Sequence, residues 1–255
     1  MKKYILVCLA IGLMLAYGTI AMASGPSTAF ENTSPGGGIK LSSHDLSAGS
    51  IAAQFGDAVE QVIDTPNGKL NRICIYCHSP HFTIPADDVL TYMPLWNHEV
   101  TTAVFIPYSN GTDLPNSTQH QSQAMEQSNQ PGGPSILCLS CHDGTVATNS
   151  YGVQADLKNQ GAAKNISASL YAKLGTDLSN HHPIGFDWPD SATDDEILPP
   201  TSPVPTTTLT INDLLWNGRM ECTSCHDVHN TKNKGNAFTW VMDTNSNLCL
   251  TCHDK

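Results

Sequence analysis

Basic side chains are scarce in this chain. It carries 12 lysines and arginines against 23 aspartates and glutamates, a formal net charge of −11 over 255 residues. A phosphate backbone is bound by positive charge, so this balance argues against nucleic acid as a partner. It favours basic patches on other proteins, or cationic metal species. Aromatic residues are few as well, 7% of the chain, while Ser, Thr, Asn, Gly and Pro are abundant. Side chains of this kind bury too little apolar surface to offset the entropy of ordering the backbone. Something else has to supply the interior. Beyond residue 23 there is no apolar run long enough to span a bilayer.

The one long apolar run lies at the start. Lys2 and Lys3 precede a nearly unbroken stretch from Tyr4 to Tyr17, and Ala21-Met22-Ala23 offers a small-residue cleavage site. This pattern is that of a secretory signal over 1–23, with the mature chain starting at Ser24. A transmembrane anchor is the rival reading, and the short apolar core followed by a cleavage site disfavours it. Cleavage leaves 232 residues with ten basic and 23 acidic side chains, a net charge near −13. The expected location is secreted, at the cell surface or extracellular, reached through the periplasm.

Of the nine cysteines, Cys8 falls in the signal segment and the other eight form one pattern written four times. The copies are Cys74-Ile-Tyr-Cys77-His78, Cys138-Leu-Ser-Cys141-His142, Cys222-Thr-Ser-Cys225-His226 and Cys249-Leu-Thr-Cys252-His253. C-x-x-C-H is the attachment site of a c-type haem. Each thiol adds across one porphyrin vinyl group as a thioether, and the adjacent histidine supplies the proximal ligand to the iron. Histidine is 11 of 255 residues. A histidine after one C-x-x-C therefore has a chance of about 0.04, and four in succession come to roughly three in a million. Two tetrathiolate zinc sites would use the same eight cysteines but leave four histidines unexplained, with reduced thiols in an exported protein. Disulfide loops or thioredoxin-like pairs ignore the histidines too. The reading is four covalently attached haem c groups, about 58 residues for each.

That is too little chain to wrap each haem in its own helical domain. The expected fold is mostly coil, with a few short α-helices, minimal β structure and the haem stack as core. It forms a single domain over 24–255 built of two pseudo-repeats, about 40–150 and 178–255. The first half runs His44, then C-x-x-C-H-x-x-H from Cys74 to His81, then a second C-x-x-C-H. The second half runs His182, then Cys222 to His229, then Cys249 to His253. Each half supplies two haem sites and two extra histidines, a count that points to imidazole on both faces of every iron. The distal candidates are His44, His81, His182 and His229, with His98 in Trp96-Asn97-His98 as a further candidate. His181 and His120 stand behind them. Met93, Met125, Met220 and Met242 are available as ligands, but ordinary packing explains them better. Pro80 ends any helix after the first motif and should turn His81 toward a neighbouring haem. A polar arm is expected over Ser24–Ile39, a short helix over Ile51–Ile63, a turn at Pro66–Gly68 and a polar surface loop over Asn110–Pro134. A helix is expected over Ala155–Leu178, extended chain over Trp188–Thr208 and one helical turn over Ile211–Trp216.

The runs Ile73 to His81, Pro94 to His98, Cys138 to Val146, His182 to Phe186 and Leu248 to His253 resemble the doubled C-x-x-C-H cytochromes exported by metal-reducing bacteria. In haem count and size the chain is similar to the extracellular tetrahaem, filament-forming (OmcE-type) members. That resemblance implies bis-histidine ligation throughout, a coil-rich fold, and subunits polymerised with a continuous haem chain. It also implies an axial histidine donated across the subunit boundary, for which His44 or His98 is the plausible donor. The fourth motif falls within the last seven residues, which leaves little chain to cover its haem and suits contact with a neighbour. Other redox proteins and extracellular metal oxides are the expected partners and acceptors. Two rivals stay open. One is a monomeric periplasmic shuttle. The other is a nitrite- or hydroxylamine-type enzyme with one five-coordinate haem, although a motif with a proximal lysine is absent. With both iron faces capped, no catalytic residue is expected.

Overall fold

The computed structural model describes residues 38–39, 42, 44–46, 73–84, 95–108, 130–152, 163, 165–166, 171–189, 191, 195–231 and 238–254. The signal segment 1–23, the helix over 51–63, the turn at 66–68, His120, Met93 and Met125 lie outside them.

The described chain is mostly coil. Its helices are α1 (Gly133–His142), α2 (Ile211–Leu214), α3 (Cys222–Cys225) and α4 (Asn247–Leu250), with a 3-10 turn at Thr244–Ser246. A two-stranded antiparallel ribbon pairs β1 (Phe186–Asp187) with β2 (Arg219–Met220), in the register Phe186 to Met220 and Asp187 to Arg219.

Each helix has a local cause. In α1, Pro134 sits in the first turn, where a missing N–H costs nothing. The Asp143 amide closes the far end on Leu139 O at 2.9 Å, and Gly144 then turns the chain through a positive φ of 77°. Before α2, the Asp213 carboxylate accepts from both the amide and the hydroxyl of Thr210, each at 2.8 Å. This is a capping box, and it holds the Asp213 pKa below the usual range. Ahead of α3, the Glu221 amide donates to Ser224 Oγ at 3.0 Å. Two of the four helices contain a C-x-x-C pair and a third carries Cys249, so the regular structure is concentrated where the thiols must be held.

Buried apolar side chains among the described residues form four small separate clusters. They are Tyr76 with Tyr151, Phe105 with Leu139 and Leu178, Phe186 with Met220, and Val204 with Leu214 and Val241. An ordinary domain of this size gathers its apolar residues into one contiguous core.

Three expectations are corrected. Residues 171–178 are turn and bridge, not the end of a helix, and Tyr171 is 99% exposed. Gly175 takes a φ of 77° there, and the Leu174 amide is drawn to His142 O at 2.8 Å, an alternative to helical bonding. The proline-rich 195–208 stretch is folded by successive turns instead of running extended; Ser202 N bonds Pro199 O at 2.9 Å and Thr207 N bonds Val204 O at 3.2 Å. The end of the polar loop, Gly133 and Pro134, already belongs to α1. The helical turn at Ile211 is present as α2.

Candidate haem-binding site

The four motifs are fastened by their own backbones. In the first, third and fourth, the His amide bonds the first Cys carbonyl, at 2.8 Å for His78, 3.0 Å for His226 and 2.9 Å for His253. This single helical turn sets two thiols and an imidazole on one side of the chain. Three motif histidines also sit in isolated bridges, His78 with Trp96, His226 with Thr239 and His253 with Ile197. The fourth, His142, ends α1, and its Nδ1 meets Ala172 O at 2.6 Å. A proton held on Nδ1 by a carbonyl leaves Nε2 with its lone pair for a metal.

Against three of these imidazoles stands a second one. His44 and His142 have ring centroids 5.9 Å apart, His78 and His229 6.1 Å, and His182 and His253 6.3 Å. Two metal–imidazole bonds of about 2 Å, plus roughly 1.1 Å from each nitrogen to its ring centre, place the centroids of a bis-imidazole metal about 6 Å apart. The three separations are those one iron spans. In each pseudo-repeat the lone histidine, His44 or His182, lies opposite the second motif of that half. His229, which follows the third motif, lies opposite the first.

His44 carries a further sign. Its Nδ1 is buried without a hydrogen-bond partner, and such atoms are uncommon in folded chains. Burial, and next the neighbouring His142, bring its pKa down to about 4. His142 is lowered as well, first by burial. Both are neutral at physiological pH, the form in which imidazole binds metal. His226 is exposed and stands near enough to His44 and His142 to lower both by its charge.

The remaining histidines lie elsewhere. His81 is exposed, and among the described residues its ring meets Phe82 at 4.7 Å. His181 is exposed, its amide bonded to Leu178 O at 3.0 Å. His98 is 1% exposed, with Nδ1 2.8 Å from Glu99 O and Nε2 3.0 Å from Ala147 O. Both of its nitrogens face carbonyls, the setting of a packed hydrogen-bonded histidine. Met220 is buried against Phe186 and Met242 is half exposed.

The eight motif cysteines are unbonded thiols. Burial pushes Cys77 up to about 11, Cys225 to about 12 and Cys252 to about 11, and raises Cys141 further. Cys138 is raised through its hydrogen bond to Cys222, which is itself lowered by it. Among the described residues no group of three or more His, Cys, Asp or Glu is arranged to hold a metal ion.

Residues outside the motifs connect one site to the next. Asn97, 3% exposed, clamps the first motif: its amide donates to Cys77 O at 2.9 Å, its Nδ2 to Ile75 O at 2.9 Å, and its Oδ1 accepts from Gly152 N at 3.0 Å. Thr101 reaches the second: its amide donates to Ser140 Oγ at 3.0 Å and its hydroxyl to the buried Asp143 carboxylate at 2.6 Å. Ser135 on α1 accepts from the Cys222 amide of α3 at 2.8 Å. Trp240 bonds Cys225 O and Thr223 O at 3.0 and 2.8 Å, and packs with Leu248 beside the fourth motif. The sequence held no signal that singles out Asn97, Thr101, Ser135 or Trp240; they are polar or aromatic residues set apart from the motifs they join.

The family model of the doubled CXXCH motif matches residues 217–255, the stretch bearing the third and fourth motifs. A search of the curated proteins gives no match. The doubled motif supports a multihaem c-type cytochrome. Proteins of this class carry covalently bound haem c and take part in electron transfer. No described helix is long and apolar enough to cross a membrane.

Proposed function

We propose that the chain is a tetrahaem electron carrier whose haems are bis-histidine ligated and follow one another in the order of their motifs. The observation that carries this reading is the set of three imidazole pairs at 5.9, 6.1 and 6.3 Å, each holding one motif histidine. Bound there, the haems would take up and pass on single electrons. The chain attaches the porphyrins through its eight thiols, closes both iron faces with imidazole, and screens the centres from water. With both faces closed there is no site for a small substrate, so a carrier is favoured over an enzyme.

The order is supported by what touches what. Cys77 lies near enough to Cys141 to raise its pKa, Cys138 is hydrogen-bonded to Cys222, and Cys225 is raised in part by Cys252. Each motif thus lies near the next along the sequence. Cys74 and Cys249, at the two ends, are exposed, while the four central thiols are half-buried. A path with covered middle and open ends suits transfer between molecules. Polymerisation into an extracellular filament extends this reading, with metal oxides or other redox proteins as acceptors. The pseudo-repeat makes His81 the counterpart of His229 and so the ligand for the haem at His226, contributed within the chain or by a second copy. The four small apolar clusters fit a fold whose interior is completed by porphyrin.

Intact mass and electron paramagnetic resonance of the secreted protein test this. Four added haems with all ferric iron low-spin are expected. Bare polypeptide mass would end the reading, and a high-spin signal from a quarter of the iron would favour the enzyme. Cryo-electron microscopy then separates filament from monomeric shuttle.

A further inference from the structure

One residue packed against His78, Trp96, and one that directly follows His229 in sequence, Asn230, each bury a side-chain donor with nothing to donate to. Trp96 is paired by its backbone with His78, and its indole stands edge-on to that imidazole, 5.9 Å away at 85°. It is 8% exposed, and its Nε1 has no hydrogen-bond partner. Asn230 directly follows His229 and is 2% exposed; its Nδ2 also has none. Its backbone is fully engaged, the amide bonded to Asp227 O at 2.7 Å and the carbonyl accepting from Gly38 N at 2.9 Å, at a φ of 50°. The residue is therefore fixed in place with its amide nitrogen unspent. Folded chains rarely bury an N–H donor in this way unless something accepts from it.

Trp96 lies against His78, and Asn230 is the residue next after His229. A porphyrin between these imidazoles carries two propionate carboxylates on its rim, and a carboxylate is the strongest acceptor for such donors. Building on the tetrahaem reading, we infer that Trp96 Nε1 and Asn230 Nδ2 are the donors that receive the propionates of the haem attached at Cys74 and Cys77. They are positioning residues: they orient the rim and spread its negative charge. The negative charge of a bare propionate favours the ferric state at its iron; hydrogen bonds that spread this charge weaken that preference, so these two bonds raise the potential of this haem relative to one with bare propionates.

The test uses the haem-loaded full chain. Wild type, Trp96→Phe and Asn230→Ala are first weighed for attached haem, which checks the tetrahaem reading by itself. Spectroelectrochemical titration then resolves the midpoint potentials. In each variant one haem of the four should move to lower potential while three hold. Four unchanged potentials in both variants, with haem content intact, would overturn the inference and leave the tetrahaem reading standing. A solved structure of the loaded wild type decides independently of how the variants fold. Carboxylate oxygens on Trp96 Nε1 and Asn230 Nδ2 uphold the assignment; water or a protein carbonyl on those atoms overturns it.

Discussion

The Cys222 amide donates to Ser135 Oγ at 2.8 Å, tying the first thiol of the third motif to the helix that bears the second. Ser135 is fully buried, and α1 and α3 pack against each other at this point. Ser135→Ala leaves a buried N–H unsatisfied, which costs about 1–3 kcal/mol. The thermal midpoint of the haem-loaded protein should fall accordingly. An unchanged midpoint would show that the two motif helices are held together by other means.

Ligand exchange reads out the histidine pairs. Replacing one imidazole by a thioether raises the potential of the iron it serves. His229→Met should raise one midpoint of four, and His182→Met should raise a different one, because the two face His78 and His253 respectively. Spectroelectrochemistry of each variant and of the double variant checks this; both substitutions acting on one and the same haem would contradict the pairing.

Gly133 opens α1 at a φ of 45°, and a Cβ there would come within 2.7 Å of the Trp216 indole. Gly133→Ala combines left-handed strain of about 1–2 kcal/mol with overpacking of about 1–3 kcal/mol. The measurement is thermal denaturation beside Gly132→Ala, whose Cβ meets nothing within 4 Å. Gly133→Ala should lower the midpoint well beyond its neighbour.

Glu221 brings a pH dependence. It is 0% exposed, Arg219 Nε is 3.4 Å from its Oε1, and its Oε2 is unpartnered. Burial raises its pKa above 4.5, against the pull of Ser135, Arg219 and the Gly132 amide. The folded chain then holds this proton at a pH where the unfolded chain has lost it. Stability from this group is complete below 4.5 and declines as pH rises through the folded value. Glu221→Gln should flatten that decline. Melting curves from pH 4 to 8 for both proteins give the comparison, and parallel curves would count against it.

What was readable in the sequence was chemistry repeated at short range. Cys, Cys and His within five residues announce themselves, and the repeat singled out His44, His81, His182 and His229, of which the structure sets all but His81 opposite a motif histidine. Low aromatic content foretold coil. The partner of each histidine was hidden, because it depends on contacts such as His78 with His229 that no local pattern encodes. The helix over Gly133–His142 was hidden behind a polar loop, its start marked by a glycine and a proline that read equally well as a turn. The helix expected through Leu178 lost its last turns to a carbonyl, His142 O, that captures the Leu174 amide. His98 looked like a ligand from its Trp-Asn-His setting, and the structure turns both of its nitrogens to backbone carbonyls.

The crossing from His78 to His229 also orders the birth of the molecule. Synthesis runs from the amino end, so the Cys74 site is made first, yet the imidazole that faces His78 arrives 151 positions later. The loop so closed encircles the second and third motifs. On the proposed pairing the first centre therefore waits, half-capped, until residue 229 emerges, whereas the second, whose facing His44 precedes it, has both imidazoles as soon as its own motif is made.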